Sequence, residues 1–397
     1  MWTGTNCLLS LISKFVFAVG CAGLITSSVY LALVMLAAWR FRGKARTPAR
    51  ESNPPVSVLK PVHGNETGLE ANLRGFFEQY YPQFELLFCA RREDDPGLAV
   101  ARKLAAEFPN VHTKILWCGD APYANAKVFS LERMMHESSH DLLVVSDSDV
   151  RVEKNYLRSV VRAFSDENTG LVTCLYRGVA IEGGLWARLE AVGMSIEMSS
   201  GVVVSEMFEP VAFALGPTMA ERREAVERIG GFGRLGPYCS DDFLLGKWIA
   251  QDGWRCVISD NVIEHMVLNA GFIESVQHQV RWMKSTRASR PKGHLGAGLT
   301  YSVPYGVLAC VGALGLHRPE LGACLLAWSA LNRMVQTWVV GTLVVKEKGL
   351  LAKSLLFVLR DAMGFCFWLA SYGSHRILWR GELFELEHDG KMQKVQA

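Results

Sequence analysis

Apolar residues dominate both ends of the chain, while the middle alternates between short apolar runs and amphipathic stretches. The stretch at 15–39 holds no charged residue and is long enough to cross a bilayer of about 30 Å as a helix. A cleaved signal peptide is the alternative, but the stretch exceeds an ordinary signal core and its basic cluster follows it. That cluster consists of Arg40, Arg42, Lys44, Arg46 and Arg50. The positive-inside rule therefore predicts an uncleaved anchor whose C-terminal flank faces the cytosol.

The C-terminal region is apolar again and contains three candidate membrane segments, at 299–316, 321–345 and 350–372. Ionisable side chains occur inside the second and third segments, and at that depth they must pair or face the interior of a helix bundle. Basic residues flank the third segment on both sides, so its topology stays open.

The block from about 52 to 285 resembles a soluble domain. Its apolar, mostly β-branched runs alternate with amphipathic stretches, which predicts a parallel sheet with right-handed crossovers. The predicted strands are 56–59, 84–89, 114–118 and 142–146, and the predicted helices are 70–80, 97–108 and 126–136. We therefore expect an anchor with its basic flank at 1–50, an α/β domain with interfacial helices at 51–295, and transmembrane helices with a short polar tail at 296–397.

Composition narrows the classes of function. The formal net charge is only +3, which is too small to indicate nucleic-acid binding. No P-loop motif occurs, so a P-loop nucleotide hydrolase is not indicated. The cysteines are scattered without a Cys-x-x-Cys pair, which favours reduced thiols on the cytosolic side over a disulfide scaffold.

The most informative stretch is LLVVSDSD at 142–149. Its Leu and Val residues predict a buried strand that ends on Asp147-Ser148-Asp149. Ligands bind at strand ends in open α/β sheets, so these carboxylates are expected in a binding crevice. Carboxylates one residue apart can share a divalent cation, and that cation can hold a diphosphate. A strand followed by an acidic turn is the alternative for a D-x-D tripeptide taken alone.

Four more polar clusters lie at predicted strand ends or just before the C-terminal apolar region. They are RREDDP at 91–96, Asn125-Ala126-Lys127, Ser240-Asp241-Asp242, and HQVRW at 278–282. Their order resembles that of membrane-bound glycosyltransferases with a GT-A fold, whose pattern is D, D-x-D, D and (Q/R)-x-x-R-W.

The runs PPVSVLKPVHG, LLFCARREDDP, DSDVRV and HQVRWMK are most similar to the ceramide glucosyltransferase family, including bacterial relatives that use ceramide or hopanoids. The resemblance covers about residues 50–290, and its membrane layout covers the rest. It implies an α/β GT-A domain that binds a nucleotide sugar on a mixed, mainly parallel sheet, with transmembrane helices at both ends.

The resemblance assigns roles to the acidic residues. It implies Mg²⁺ or Mn²⁺ held by Asp147 and Asp149, with Asp147 also contacting the donor. Asp242 matches the family's general base, which takes the proton from the acceptor hydroxyl. Asp241 is the alternative carboxylate, and both acids are also suited to capping the helix that follows.

Asp94 is the candidate for the family aspartate that contacts the uracil of the donor. The register among Glu93, Asp94 and Asp95 stays open, and an acidic cap of the next helix is the alternative. Asn125 and Lys127 are implied near the nucleotide or phosphate, with a plain helix start as the alternative.

Arg281 and Trp282 match the end of the last motif and are implied in donor binding. Arg can fork onto phosphate oxygens, and Trp can pack near the lipid headgroups. An interfacial Arg–Trp belt is the alternative. Two positions depart from the family: His278 replaces Gln or Arg, and Ile196 stands where eukaryotic ceramide enzymes carry a His. A different acceptor site is therefore left open.

The resemblance thus predicts a membrane-bound, metal-dependent, inverting hexosyltransferase that moves glucose from UDP-glucose to the primary hydroxyl of ceramide, giving glucosylceramide. A hopanoid-polyol N-acetylglucosaminyltransferase is the close alternative. The expected partners are a UDP-sugar, a membrane lipid and the bilayer, without nucleic acid. The catalytic domain is expected to face the cytosol, at a bacterial inner membrane or a Golgi or ER membrane.

Two other classes of protein remain. A processive polysaccharide synthase would need a membrane channel, for which three or four apolar segments are few. A scaffold that keeps the fold without catalysis would not need to keep Asp147, Asp149 and Asp242.

Overall fold

The computed structural model describes residues 2–44, 53–181, 183–268, 271–379, 381–387 and 389–395. Arg46 and Arg50 of the basic cluster lie outside these ranges. The chain divides into two compact units. The helical unit comprises Met1–Gly43, Arg188–Met207 and Gly271–Ser374, and the sheet unit comprises Lys44–Ala187, Phe208–Ala270 and His375–Ala397. Residues 188–207 and 271–295, which were expected in the α/β domain, thus belong to the helical unit. The domain boundaries expected at residues 50 and 295 stay a prediction.

An eight-stranded sheet lies at the centre of the sheet unit, in the order β3-β2-β1-β4-β7-β6-β8-β5. Its strands are β1 (Val56–Pro61), β2 (Phe84–Ala90), β3 (His112–Trp117), β4 (Leu142–Ser146), β5 (Val150–Arg151), β6 (Thr169–Ala180), β7 (Thr218–Arg222) and β8 (Arg255–Val267). β1 pairs in parallel with β2 and β4, and β2 pairs in parallel with β3. β7 runs antiparallel to both β4 and β6, so the sheet is mixed.

The α-helices of the described residues occur in both units. They are α1 (Trp2–Lys44), α2 (Leu69–Phe77), α3 (Pro96–Glu107), α4 (Ala126–Glu137), α5 (Tyr156–Val161), α6 (Leu185–Val192), α7 (Ser199–Phe208), α8 (Arg223–Arg228), α9 (Asp241–Gln251), α10 (Phe272–Ser289), α11 (Pro291–Ala297), α12 (Val303–Gly315), α13 (Pro319–Leu343) and α14 (Leu350–Ala370). Short 3-10 helices occupy Arg162–Ser165 and Phe232–Leu235, and a π-helix occupies Gly193–Met198.

The predicted strands and helices of the first half agree with the structure to within three residues at each end. The agreement has a physical cause in the hydrophobic pattern. All five residues of β4 are buried, and α4 buries Val128, Leu131, Met134 and Met135 along one face. A run of buried residues needs cover on both faces of the sheet, and helices with one apolar face provide it.

A second, three-stranded sheet follows the last helix and belongs to the sheet unit. Its strands are β9 (Arg376–Trp379), β10 (Glu382–Leu386) and β11 (Met392–Lys394), in the order β11-β10-β9. Residues expected to form a short polar tail therefore form strands. The signal was the alternation of buried apolar with exposed polar residues around Phe384 and Leu386, over a stretch too short to stand out.

The helical unit pairs its charged side chains between helices. Arg333 Nη1 of α13 lies 3.1 Å from Asp361 Oδ1 of α14, and Arg360 Nη2 lies 3.0 Å from Glu197 Oε2 in the π-helix. Adjacent residues on a helix point apart, so Arg360 and Asp361 each find a partner on another element. The expectation that these ionisable groups pair within a bundle is met.

Among the described residues, one helix is long and apolar enough to cross a membrane, the Leu8–Gly43 part of α1. Large apolar side chains on this helix are exposed, including Leu11 and Phe15, as expected for a surface that faces lipid. The predicted C-terminal segments form helices, of which α12 is apolar but has only 13 residues. The anchor is thus supported by length and composition, and the number of crossings stays a prediction.

Candidate active site

The end of β4 carries the Asp147-Ser148-Asp149 turn, and both neighbouring strands hold it in place. The Asp147 N–H donates to Pro217 O, just before β7, at 3.3 Å. From β1, the fully buried Lys60 donates through Nζ to Asp147 O at 2.5 Å. Burial lowers the pKa of Lys60 to about 7, although the nearby carboxylate of Asp147 opposes the shift. The backbone of the acidic turn is therefore fixed by the central strands.

Asp149 faces a histidine that the sequence reasoning missed. His265 Nε2, near the end of β8, lies 2.9 Å from Asp149 Oδ2, and the Met266 N–H donates to Asp149 O at 2.8 Å. Burial would raise the pKa of Asp149, but His265, with Lys60 and Lys127, outweighs it and holds that pKa below its usual range. The sequence signal was a histidine in an alternating strand, VIEHMV, which by itself gives no indication of a partner.

Asn125 and Lys127 begin α4 and reach two acidic segments. Asn125 is the N-cap of α4, because its Oδ1 accepts from the Val128 N–H, while its Nδ2 donates to Asp241 Oδ1 at 3.1 Å. Lys127 Nζ lies 2.7 Å from Asp147 Oδ1 and 3.9 Å from Asp241 Oδ2. Burial alone would lower the pKa of Lys127, but the two carboxylates outweigh it and raise that pKa. One ammonium therefore joins the two acidic segments.

Asp241 and Asp242 form the first turn of α9, where a helix N-terminus favours negative charge. Asp242 accepts two backbone hydrogen bonds, from the Gly216 N–H at 2.8 Å and the Phe243 N–H at 2.7 Å. Burial and the neighbouring charge of Asp241 nevertheless raise the pKa of Asp242 to about 6. A Cβ at Gly216 would lie 2.9 Å from Asp242 Oδ2, so only glycine lets this backbone approach the carboxylate.

The acidic run after β2 separates into two environments. Asp94 is largely exposed and pairs with Arg92, whose Nη2 lies 2.8 Å from its Oδ2. Asp95 is buried, caps α3 by accepting from the Gly97 N–H, and also accepts from the Gly64 N–H. The capping alternative therefore applies to Asp95, and a donor contact by Asp94 stays a prediction.

Arg281 and Trp282 lie on α10 in the helical unit, with the residue that departs from the family motif. His278 Nδ1 lies 2.7 Å from Glu190 Oε1 of α6, and its ring is 4.3 Å from the ring of Trp282. Glu190 is almost fully buried, so the His278 ring contacts both a buried carboxylate and the indole of Trp282. Ile196 is fully buried.

The acidic turn carries oxygen ligands of the kind that a divalent cation needs. Asp149 Oδ1 is buried and has no hydrogen-bond partner among the described residues, so this oxygen is available to a ligand. Asp147 adds carboxylate oxygens nearby, and such oxygen ligands suit Mg²⁺ or Mn²⁺. His265 contacts Asp149 and can orient that carboxylate. In the described ranges no three His, Cys, Asp or Glu side chains already converge as a metal site. The carboxylate oxygens therefore fit a divalent cation, and its binding would require these side chains to move closer together.

Comparison with known proteins decides the family. A model of Glycosyl transferase family 21 matches residues 19–392. The chain belongs to this family. Among its relatives, ceramide glucosyltransferase 3 of Caenorhabditis elegans is 23% identical over 370 residues, which cover 91% of this chain and 79% of the relative. Ceramide glucosyltransferase 1 of the same organism is 27% identical over 243 residues, which cover 60% of this chain and 51% of the relative.

A solved structure confirms the fold of this family 21 member. The mannosyltransferase PcManGT from Pyrobaculum calidifontis, solved with GDP-Man and Mn²⁺, aligns with a TM-score of 0.52 at 18% identity. The alignment covers 88% of this chain and 99% of the mannosyltransferase. The predicted GT-A fold, the family resemblance and a nucleotide-sugar-dependent hexosyltransferase as the class of enzyme are confirmed.

Proposed function

We propose that this family 21 enzyme transfers glucose from UDP-glucose to the primary hydroxyl of ceramide, with inversion at the anomeric carbon. One observation carries the proposal: the Lys127 ammonium lies 2.7 Å from Asp147 and 3.9 Å from Asp241. Asp242 is the next residue of the chain after Asp241. The ceramide glucosyltransferases among its relatives favour this donor and acceptor.

Asp242 is the proposed general base. The acceptor oxygen attacks the anomeric carbon as the bond from that carbon to the diphosphate breaks, and Asp242 takes the hydroxyl proton. A base must be ionised at working pH and yet basic enough to accept a proton, and a pKa of about 6 meets both conditions. UDP leaves with the bonding electrons, and the opposite-face attack inverts the sugar.

The donor diphosphate is proposed to bind at the acidic turn through a divalent cation. Asp147 and Asp149 would hold Mg²⁺ or Mn²⁺, which supplies positive charge to the leaving diphosphate. His265 would orient Asp149 from the far side of the pair. Lys127 adds a partly buried positive charge beside Asp147, and Asn125 fixes the start of its helix. Asp94 is proposed at the uracil, and Arg281 and Trp282 at the donor phosphates and the lipid headgroups.

The acceptor is proposed to enter from the bilayer, with the sheet unit on the cytosolic side. The support is the exposed apolar surface of α1 and the basic residues at its C-terminal end, which include Arg40 and Arg42. A lipid acceptor can remain in the membrane while the water-soluble donor arrives from the cytosol.

A hopanoid polyol with UDP-N-acetylglucosamine is the second candidate pair. Of the two departures that suggested it, Ile196 is fully buried in the helical unit and does not offer a contact to a substrate. His278 keeps the question open, because its ring lies against Trp282.

A donor–acceptor screen tests the proposal. The purified full chain in detergent is incubated with Mn²⁺, ceramide or a hopanoid polyol, and UDP-glucose, UDP-galactose or UDP-N-acetylglucosamine. The lipid fraction is analysed by mass spectrometry, and released UDP is measured in parallel. We expect hexosylceramide from UDP-glucose, and none from Asp242→Asn.

Each other result contradicts the proposal in a different way. A labelled hopanoid identifies the second pair, and a water-soluble polymer identifies a processive synthase. Absence of UDP release from every donor, with lipid extract present, excludes transfer altogether.

A further inference from the structure

The C-terminal three-stranded sheet attaches to the segment that leads into the proposed catalytic acids. The Met392 N–H of β11 donates to Pro237 O at 2.8 Å, and the Cys239 N–H donates to Gly390 O at 3.2 Å. Between these bonds Tyr238 pairs antiparallel with Lys391. The segment 237–239 is thus attached to the β11 edge through an isolated β-bridge, and α9 begins at Asp241, two residues later.

A small apolar core backs this attachment. It consists of Ile377, Phe384, Leu386 and Met392, each at most 5% exposed. Ala124 and Cys239 pack against it, and they directly precede Asn125 and Ser240. The core therefore lies beneath the starting points of both segments that carry the site, the one with Lys127 and the one with Asp242.

Asn125 completes the arrangement from the other side. Its Nδ2 donates to Tyr238 O and to Asp241 Oδ1, each at 3.1 Å, and its backbone N–H donates to Gly236 O at 2.9 Å. The segment 237–239 is thereby held between the small sheet and the N-cap residue of α4.

We propose that β9–β11 position Asp242, and that the hydrogen bond from the Met392 N–H to Pro237 O holds the segment 237–239 in register. This inference rests on the proposed role of Asp242 as base. Releasing the segment 237–239 would let the first turn of α9 move. When a catalytic base is displaced by about 1 Å, the rate of the reaction can fall about 10²-fold. The same movement would admit water around the carboxylate.

A matched pair of proline variants tests this inference. The Glu387 N–H donates to Lys391 O and the Val395 N–H donates to Leu383 O, and antiparallel bonding alternates along a strand. The amides of residues 392 and 394 therefore both face away from β10. Met392→Pro removes the bond to Pro237, whereas Lys394→Pro places the same ring on the same edge without touching that bond.

The first readout is hydrogen–deuterium exchange of peptides covering residues 236–244 in the full chain. We expect faster exchange in Met392→Pro than in wild type and Lys394→Pro, and wild-type exchange in Met392→Leu, which keeps the N–H and an apolar side chain. Equal exchange in the two proline variants overturns the inference, whether or not the enzyme transfers glucose.

The second readout is sugar transfer. We expect kcat of Met392→Pro to fall about ten-fold or more against Lys394→Pro, with the donor KM within about three-fold. The acid limb of its pH profile should move towards lower pH, and Met392→Leu should restore both. An unchanged kcat and pH profile overturn the positioning role. If Met392→Pro does not fold, Met392→Ala, which keeps the N–H but opens the apolar core behind the attachment, is measured for exchange and pH profile. Wild-type values of both would overturn the positioning role of β9–β11. If wild type transfers no sugar, the proposed function fails while the exchange result still decides the attachment.

Discussion

His265 Nε2 lies 2.9 Å from Asp149 Oδ2, while the other oxygen of this carboxylate is buried without a hydrogen-bond partner in the described part of the chain. If the pair binds the cation, His265→Ala should weaken Mn²⁺ binding about ten-fold or more. Binding is measured by electron paramagnetic resonance of free Mn²⁺, without donor or acceptor. His136→Ala, an exposed histidine on α4, is the control. Equal Mn²⁺ affinity in the two variants would remove His265 from the proposed site.

Asp242→Asn should abolish turnover and leave donor binding intact. The amide keeps the size of the side chain but cannot take a proton, so we expect kcat to fall by about 10²-fold or more. UDP-glucose affinity is measured by isothermal titration in detergent and should stay within about three-fold. Asp241→Asn is the comparison, because Asp241 contacts Asn125 and lies near Lys127. Loss of donor affinity in Asp242→Asn alone would mean that this carboxylate binds the donor.

The rate of wild type should fall below about pH 6. Burial and Asp241 raise the pKa of Asp242 to about 6, and a base is inactive once protonated. With saturating UDP-glucose and acceptor, log kcat is expected to decrease with unit slope as pH falls through that value. A rate that stays constant down to pH 4.5 would be inconsistent with Asp242 as the base.

Glu221 predicts a pH dependence of stability rather than of rate. This β7 carboxyl is fully buried, and neither oxygen has a hydrogen-bond partner among the described residues. Burial raises its pKa from 4.5 to about 8, so the folded protein binds the proton more tightly than the unfolded chain. Its contribution to stability is complete below about pH 4.5 and is lost as pH rises to about 8.

The glutamine in Glu221→Gln cannot ionise, so the variant lacks this pH dependence. We expect the difference in Tm, wild type minus variant, to decrease between pH 5 and pH 8. Thermal unfolding in detergent measures it. Glu224→Gln, at an exposed side chain of α8, is the control and should show no such trend. A constant difference for Glu221→Gln would show that this carboxyl titrates normally.

His278→Gln restores the residue type of the family motif and should retain transfer to within about three-fold. Its amide can donate to Glu190 as the imidazole does, at the 2.7 Å contact. His278→Ala removes the donor and leaves the buried Glu190 without that partner, so we expect a larger loss of kcat. Gln277→Ala, exposed on the same helix, is the control. Equal rates in His278→Ala and Gln277→Ala would make the contact with Glu190 irrelevant to transfer.

The first half of the fold was predictable because each element carries its own hydrophobic period. The run before Asp147 gave β4, and the apolar spacing after Asn125 gave α4. The antiparallel insertion of β7 between β4 and β6 had no comparable signal, because strand order depends on long-range pairing. The C-terminal sheet was missed because its alternating apolar and polar stretch is too short to stand out.

Within the site, sequence found the residues whose neighbours in the chain mark a strand end or a helix start. Asp147, Lys127 and Asp242 belong to this group, and the structure brings their segments together through Lys127. His265 and Lys60 were missed because each lies inside a strand pattern, where only the fold reveals which carboxylate or carbonyl it faces.

The attachment of Met392 to Pro237 has a consequence for biosynthesis. The N-terminus of a chain emerges from the ribosome first, and domains generally fold as their residues emerge. Here the segment 237–239, which borders the proposed base, is held by residues more than 150 positions further along, after helices α9 to α14 have been made. If β11 positions Asp242 as proposed, the nascent enzyme would stay inactive until helices α9 to α14 and the strands after them had been translated.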